Sequence, residues 1–312
     1  MIEVQGNGCV VRVVADSINE NLKGEPTRIT TFHLQYQRFY HSELLTHKML
    51  SRNSSSTRAI PILTMLKQVW NNPATPISWG ANIPGMQAKA ELTGLKLSLA
   101  KFLWASSAKF AGIHAWLMAK VGLHKQVGGR GLDPYQIINT VVTATELENL
   151  FWLRDHTDAQ PEFRELAQTM IKARNMSKPV SLKVGEWHLP FVTSSRDWEG
   201  VMRYYDGEGK EVCLNDALKI SAACCASISY RKVDATLEAA KRIWDKLVTS
   251  QPVHGSPTEH QATPMTKEYY DSWFIGRPLP GISHQDRNRT LWSANFKNWV
   301  QHRKLIPNEA KW

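Results

Sequence analysis

A long apolar stretch, residues 87–123, constrains the fold of this chain more than any other sequence feature. Its apolar residues recur at helical spacing and two glycines interrupt it: Trp104, Phe110, Trp116 and Met118, with Gly94 and Gly112. This pattern predicts one or two buried helices, in which His114 is expected to be a hydrogen-bonded core histidine. With 312 residues, 42% of them hydrophobic, the chain can build the large core that such helices need. No apolar run approaches the ~20 residues that span a bilayer, so no membrane segment is expected.

The segments before this stretch predict a mixture of strands and helices. Residues 1–30 contain a β-branched run at 10–14 and glycines at 6, 8 and 24, which indicates strands and turns. Residues 31–50 carry Phe32, Tyr36, Phe39 and Leu44 at helical spacing, and a short helix is expected from Pro61 through Trp70. The sequence periodicity therefore predicts a mixed α and β fold.

The second half of the chain has weaker signals. Residues 171–211 are polar, and the segment 184–190 suggests a hairpin. Residues 214–230 and 237–247 are expected to be helical, and 295–309 should contain a basic helix with a solvated face. Four aromatic residues are expected in packed surface segments: Trp273, Trp292, Phe296 and Trp299.

The net charge of +10 favours anionic partners without saying whether they are small or polymeric. Basic residues are scattered, with adjacent pairs only at 231–232, 241–242 and 303–304, so small anionic ligands fit better than nucleic acid. The four cysteines have neither C-x-x-C spacing nor a paired His nearby, so no metal site or disulfide is expected: Cys9, Cys213, Cys224 and Cys225. The N-terminus begins no secretory signal, and a cytoplasmic protein is expected.

Residues 43–61 combine many hydrogen-bond donors with few carboxylates: ELLTHKMLSRNSSSTRAIP. An apolar helical segment is followed by hydroxyls, an amide and the guanidiniums of Arg52 and Arg58, with no carboxylate after Glu43. Backbone N–H groups, Ser hydroxyls and a forked Arg can all donate to the same phosphate oxygens. The segment therefore predicts a phosphate site, and a Ser-rich surface loop with a helix cap is the alternative.

The spacing in this segment resembles the signature of flavin-dependent thymidylate synthases, which is Arg-His-Arg, seven residues and then Ser. Here Thr46-His47-Lys48 is followed after seven residues by Ser56. Four positions carry the family's own residue: Ser51, Asn53, Ser56 and Arg58. Thr46 and Lys48 replace the two arginines, and Lys48 keeps the charge but loses the bidentate fork.

Two later segments resemble the same family. Arg130 with Pro134 matches its Arg-x-x-x-Pro, in which the Arg holds the nucleotide phosphate. Residues 149–162 resemble its closing helix, in which Asn149 would contact flavin and Arg154 the pyrimidine. From the residues alone, Arg154 could instead pair with Asp155 or Asp158. The family's upstream Asn-x-Arg-Ser is replaced at 143–146, so flavin contacts from that turn are not expected.

The heptad at 254–260, HGSPTEH, resembles the family's His-x-Ser/Thr-Pro-Phe-Glu-His, which normally precedes the Arg-His-Arg signature. Its usual predecessor, of type Ala-x-Val-Ser-Tyr, is matched by residues 226–230. The chain thus resembles a circularly permuted, phage-like member, with residues 1–170 carrying the signature and residues 171–312 the permuted segment of one intertwined catalytic domain. Without the resemblance, His254 and Glu259 could be a metal pair or a capped turn.

The resemblance implies an α/β fold, an antiparallel sheet covered by helices, and a homotetramer whose sites lie between subunits. It implies methylation of dUMP to dTMP with FAD as cofactor and NADPH and methylenetetrahydrofolate as co-substrates. The phosphate is assigned to Ser56, Arg58 and Arg130, and the base to Arg154, which is also the catalytic candidate. The flavin is assigned to His47, Lys48, Asn53, Asn149, His254 and Glu259, and no metal is implied.

Two other functions remain open at this point. A relative of the family could methylate or hydroxymethylate another pyrimidine deoxynucleotide, such as dCMP, for modified phage DNA, and the altered residues at 46, 48 and 143–146 leave room for that. A basic, nucleic-acid-associated protein without catalytic activity is the second alternative.

Overall fold

The computed structural model describes residues 1–22, 26–85, 88, 90–228 and 234–310. Its centre is a sheet with the strand order β1-β2-β3-β5-β4, and β6 pairs with β2 off this path. Every pairing is antiparallel except that of β6 with β2. The strands of this sheet are β1 Ile2–Gln5, β2 Val10–Asn19, β3 Thr27–Gln37, β4 Ser51–Ser54, β5 Ile137–Ala144 and β6 Val180–Ser181.

β3 corrects the prediction of a helix over residues 31–50. Phe32 and Tyr36 are fully buried and lie four residues apart, a spacing that also places both side chains on one face of a strand. β3 is a central strand, flanked by β2 and β5 and buried on both faces, so the sequence shows no polar alternation. Helical structure begins only with a 3-10 turn, Arg38–Tyr40, and α1, His41–Leu45.

Helices α5, Glu148–Arg154, and α6, Pro161–Met176, cover one face of the sheet. Phe163, Leu166 and Met170 of α6 are completely buried in the same cluster as Phe32 and the valines of β2. Pro161 begins α6, a position where its missing N–H has no cost. The predicted antiparallel sheet with covering helices is confirmed.

The last segments of the chain pack near the turn between β2 and β3. Trp299 is fully buried, and its indole N–H donates to the Thr27 carbonyl oxygen over 3.1 Å. Of the predicted basic helix within 295–309, only the 3-10 turn His302–Leu305 forms, because Asn298 has a positive φ of 60° and separates β13, Phe296–Lys297, from β14, Trp299–Gln301. Phe296 and Trp299 belong to the core and not to surface segments.

The predicted hairpin at 184–190 is also wrong. His188 makes only an isolated bridge to Ala262, and the hairpin lies downstream between β7, Thr193–Arg196, and β8, Met202–Tyr205. The remaining elements are β9 Glu211–Val212, α7 Leu214–Ser227, α8 Leu237–Trp244, a π-helical turn Asp245–Thr249, β10 Ala262–Pro264, α9 Lys267–Phe274, β11 His284–Gln285, β12 Leu291–Ser293 and a 3-10 turn His302–Leu305.

A pair of helices forms a separate apolar layer. α2 spans Ile62–Asn71, as predicted after Pro61, and α3 is a single 27-residue helix, Gly94–Lys120. α3 is followed by α4, Lys125–Gly128, and a 3-10 segment, Gly129–Tyr135. Only Ala108, Gly112 and Ala115 of α3 are fully buried, so the prediction of a buried helix holds for one side only.

His114 is exposed, which overturns its assignment to the core. None of the described helices is long and apolar enough to cross a membrane.

Candidate functional site

The part of the signature that was predicted to break the helix forms an edge strand, β4, over Ser51–Ser54. β4 pairs with β5, and the Ser54 hydroxyl accepts a hydrogen bond from Thr140 Oγ1 over 3.0 Å. Ser55 donates its N–H to the Asn139 carbonyl over 2.8 Å, and its own Oγ accepts from the Asn139 N–H over 3.1 Å. These two serines therefore hold the strand in place, and Ser56 is the first hydroxyl in the segment that lies beyond it.

The heptad from the C-terminal half packs against this strand within the same chain. Its residues Ser256–Glu259 form a 3-10 turn. The Gln301 amide connects the two segments, because Nε2 lies 3.2 Å from Ser51 Oγ and also donates to the Glu259 carbonyl over 3.2 Å. The structure thus brings together two motifs that lie far apart in the sequence.

A cavity of about 460 Å3 opens at this junction. Asn53 of the signature and His254 of the heptad both line it. Among the described residues, its lining consists of Asn53, Ala226, Ser227, Arg242, Ile243, Lys246, Leu247, His254, Ser256 and Pro257. Ser229 and Tyr230, which belong to the segment matched before the heptad, and the pair Arg231-Lys232 lie outside the described residues.

Sequence reasoning missed two cations of this cavity, Arg242 and Lys246. They lie four residues apart, a spacing that places two side chains on one side of a helical segment. Within the described residues, neither has a carboxylate at ion-pair distance, whereas Arg303 nearby is paired with both Glu259 and Glu309. The spacing was visible in the sequence, but nothing there connected it to Asn53.

Glu259 does not line the cavity, although the resemblance assigns it to flavin. Its carboxylate pairs with Arg303. Burial raises the pKa of Glu259, while Arg303, Lys304 and Arg52 act in the opposite direction. The carboxylate is therefore already engaged in holding the heptad to the C-terminal 3-10 turn. Asn149 lies exposed on α5.

Arg154 reaches back to the start of the signature. Its Nε lies 2.9 Å from His47 Nε2, its NH1 lies 3.2 Å from Glu43 Oε2, and its guanidinium stacks 4.7 Å from the centre of the Phe163 ring. Its partner is thus Glu43 and neither Asp155 nor Asp158. Burial, and then Arg154 and Arg52, lower the pKa of His47. A neutral His47 accepts at Nε2 from Arg154 and keeps Nδ1–H as a donor.

Arg58 and Arg130 lie exposed on two segments that contact each other. Lys125 Nζ donates to the Ala59 carbonyl over 3.2 Å, which ties the segment after β4 to the one that carries Arg130. The N–H of Arg58 lies 3.3 Å from Ser56 Oγ. In the part of the chain that the structure describes, neither arginine has an ion-pair partner, so both guanidiniums can receive an anion. Lys48 is also exposed, and its ammonium donates to the Leu45 carbonyl over 3.3 Å.

A buried hydrogen-bond chain lies behind the site and joins two histidines through the strands β3 and β5. It runs from His188 Nε2 to Thr31 Oγ1 over 2.8 Å, to Thr143 Oγ1 over 2.7 Å and to His260 Nδ1 over 2.8 Å. Burial lowers the pKa of each histidine to about 3, so both rings are neutral. His260 Nε2 is buried and has no hydrogen-bond partner among the described residues. An unpaired acceptor costs less than an unpaired N–H, which favours the tautomer in which His260 donates from Nδ1 to Thr143.

Comparison with protein-family models and with curated proteins gives no match. Two kinds of solved structure are similar over about half of this chain. One is a UMP/dUMP methylase, PolB, from Streptomyces cacaoi bound with 5-Br UMP, at 14% identity and a TM-score of 0.42, covering 55% of this chain and 90% of that one. The other is thymidylate synthase X from Helicobacter pylori with FAD and dUMP, at 15% identity and a TM-score of 0.33, covering 47% and 67%.

Proposed function

We propose that this chain is a flavin-dependent methylase that converts dUMP to dTMP, with methylenetetrahydrofolate as the carbon donor and NADPH as the reductant. One observation carries the proposal. Asn53 and His254, which the sequence resemblance assigns to flavin from opposite halves of the chain, line the same cavity. A permuted order of the motifs needs this proximity, because the same contacts must form whichever segment comes first.

The cavity has the chemistry that a flavin dinucleotide requires. Ile243, Leu247 and Pro257 provide apolar surface for a flat heteroaromatic ring, and Arg242 and Lys246 are cations suited to a pyrophosphate. Asn53 and His254 can donate to or accept from polar ring atoms. When bound, FAD would supply the hydride that a reductive methylation needs.

The nucleotide would lie toward the other residues of the signature. Ser56, Arg58 and Arg130 are assigned to its phosphate, and Arg154 to the pyrimidine. A neutral His47 holds the Arg154 guanidinium through Nε2, while Glu43 fixes its other side. Catalysis of this type rests on orientation and on charge placed where the pyrimidine carbonyls gain electron density.

A protein nucleophile is not part of the proposal. Burial raises the pKa of Cys9, and it raises that of Cys224 to about 12, so neither thiol forms a thiolate readily. Cys225 is completely buried with a pKa that is also raised. Cys213 is exposed at the beginning of α7 and does not line the cavity.

Within one chain, Arg58 stands next to Ala59, whose carbonyl accepts from Lys125, whereas Arg154 pairs with Glu43 of α1, and no described contact joins the two arginines. We therefore keep the proposal that they act in one site from different subunits of a homotetramer.

Another pyrimidine nucleotide, such as dCMP, or a hydroxymethyl product is the second candidate. The end of β5 and the turn that follows it, residues 143–146, favour it, because two of their side chains are already engaged: Thr143 belongs to the buried hydrogen-bond chain, and Glu146 pairs with Lys297 over 3.5 Å. This turn therefore cannot provide the polar contacts that the family's own residues make there.

Flavin binding tests the proposal directly. The native protein should purify yellow or bind added FAD, and His254→Ala should weaken retention of the flavin without unfolding the chain. Arg242→Ala should lower FAD affinity about ten- to a hundredfold, as expected for a lost charge-assisted contact, and should change riboflavin affinity little. Lys241→Ala is the matched control, because Lys241 is its neighbour on α8 and does not line the cavity. A native protein that binds neither FAD nor riboflavin would refute the assignment.

A further inference from the structure

The outer side of α3 presents a continuous apolar stripe, which we call the α3 stripe. Its members are between 42% and 89% exposed: Leu95, Leu99, Phe102, Leu103, Phe110, Ile113 and Leu117. Positions 95, 99, 102, 106, 110, 113 and 117 follow one another at intervals of three or four residues, and Ser106 occupies the middle one. This spacing places them along one line of the helix, opposite Ala108, Gly112 and Ala115, which pack inward.

The stripe is too large to be an ordinary exposed surface. If the full accessible area of a large apolar side chain is taken as about 200 Å2, the exposed fractions amount to roughly 800 Å2, whereas the largest apolar patch on a monomer is about 300–600 Å2. Roughly 800 Å2 is also what each partner contributes to a standard protein–protein interface. The stripe therefore has the area of one half of a stable interface.

We propose that a second copy of this chain covers the α3 stripe, with the two α3 helices antiparallel and a two-fold axis close to Ser106. An apolar line with intervals of three and four residues is the surface that another helix packs against. A two-fold pairing covers two identical stripes at once, because the same patch faces itself. Ser106 is small, and its hydroxyl already donates to the Leu103 carbonyl over 3.0 Å, so two helices can approach closely at this point.

The charges around the stripe decide between a second copy and an acidic partner. α2 and α3 contain five lysines and no carboxylate: Lys67, Lys96, Lys101, Lys109 and Lys120. Lys109 lies 4.4 Å from the centre of the Trp70 ring, and Lys120 lies 5.5 Å from that of Trp116, so both ammonium groups are held over rings of their own chain. Lys96 flanks the stripe, and Lys101 points away from its line. The contact between two α3 stripes is thus apolar, and the lysines beside one stripe repel those beside the other only weakly.

Added salt should therefore change the binding of a second copy and the binding of an acidic partner in opposite directions. Pairing of two copies should be unchanged or strengthened by added salt, because salt screens the repulsion between the flanking lysines. Binding to an acidic protein or to an anionic lipid surface should be weakened by salt. The inference rests on this surface alone and does not depend on the proposed function.

Cross-linking of Ser106→Cys tests the geometry. The background carries Cys213→Ser, which removes the exposed native thiol, since Cys9, Cys224 and Cys225 are buried. A residue at a two-fold axis meets its own copy, so a short bis-maleimide should convert most of the Ser106→Cys protein to a covalent dimer. Ser98→Cys is the matched control, because in the antiparallel pair it lies roughly 24 Å from its copy along the helix axis.

The mass in solution provides the second measurement. The native chain should have at least twice the monomer mass of 35.4 kDa, and Leu99→Glu/Phe102→Glu should halve the assembly without changing the circular dichroism spectrum. Phe274→Glu, at a residue 89% exposed on α9, should leave the mass unchanged. A monomeric native chain, equal cross-linking at residues 98 and 106, or binding to anionic vesicles that salt abolishes while the protein stays monomeric would each overturn the proposal.

Discussion

The C-terminal segment around Trp299 and the helix α3 are both rich in apolar side chains. Only the segment around Trp299 has its apolar side chains covered by the rest of the same chain. Trp299 is fully buried and hydrogen-bonded to a backbone carbonyl, and His260 and Gln301 are buried with polar partners. On α3, Phe102 and Leu95 are 67% and 89% exposed. The number of apolar side chains in a region therefore does not show whether they are buried within their own chain.

This difference separates two kinds of assembly. At the junction, the C-terminal segments pack against the signature strand, so the proposed site can form although its motifs lie in opposite halves of the chain. At α3, no described segment covers the outer side, and we infer that another chain does so. Mutations in the two regions should consequently affect different observables.

The largest contrast is expected from truncating one aromatic residue in each region. Trp299→Ala should lower the free energy of unfolding by about 3–5 kcal/mol, because it leaves a cavity and an unpaired carbonyl. Phe102→Ala should change the unfolding free energy of the monomer by only about 0.5 kcal/mol or less, since its ring has few contacts to lose. Urea unfolding at a concentration where the protein is monomeric measures both. Equal losses would show that α3 is covered by its own chain.

The pH dependence of stability provides a smaller contrast. Burial lowers the folded-state pKa of His260 to about 3, while an unfolded histidine titrates near ~6.5. Only the unfolded chain binds this proton between those values, so the contribution of His260 to stability is complete above pH ~6.5 and falls by about 1.4 kcal/mol per pH unit as the pH decreases toward ~3.

Two substitutions isolate this contribution. His260→Gln should be less stable at neutral pH but should lose stability less steeply on acidification. His114→Gln, at the exposed histidine of α3, should leave the slope unchanged. Urea unfolding at several pH values gives the slopes, and an unchanged slope in His260→Gln would mean that His260 is accessible to protons in the folded chain.

The sequence predicted those features of the fold that local patterns determine. The β-branched run at 10–14 and the helix after Pro61 form as expected. Residues 31–37 form a strand because pairing with β2 and β5 outweighs a spacing compatible with either structure. The segment 295–301 depends on the contact of Trp299 with Thr27, far away in the sequence, which no local pattern could show.

The sequence could predict only those residues of the candidate site that belong to a motif. Asn53 and His254 were assigned from motifs, and the structure places both at one cavity. Arg242 and Lys246 stand in no motif, so only the three-dimensional structure shows their position. The Ser-rich segment predicted a phosphate site, but the hydroxyls of Ser54 and Ser55 bond to β5 and so hold the edge strand in place.

The central claim, flavin-dependent carbon transfer to a pyrimidine nucleotide, is tested most directly by weighing the products. The protein is incubated with FAD, NADPH and methylenetetrahydrofolate, and with dUMP or dCMP in separate reactions, and the nucleotides are analysed by mass spectrometry. We predict a gain of one methyl group on dUMP that requires both the flavin and the folate. Methylation or hydroxymethylation of dCMP alone would select the second candidate. No change in either nucleotide, with a protein that is folded and loaded with flavin, would contradict the proposed function.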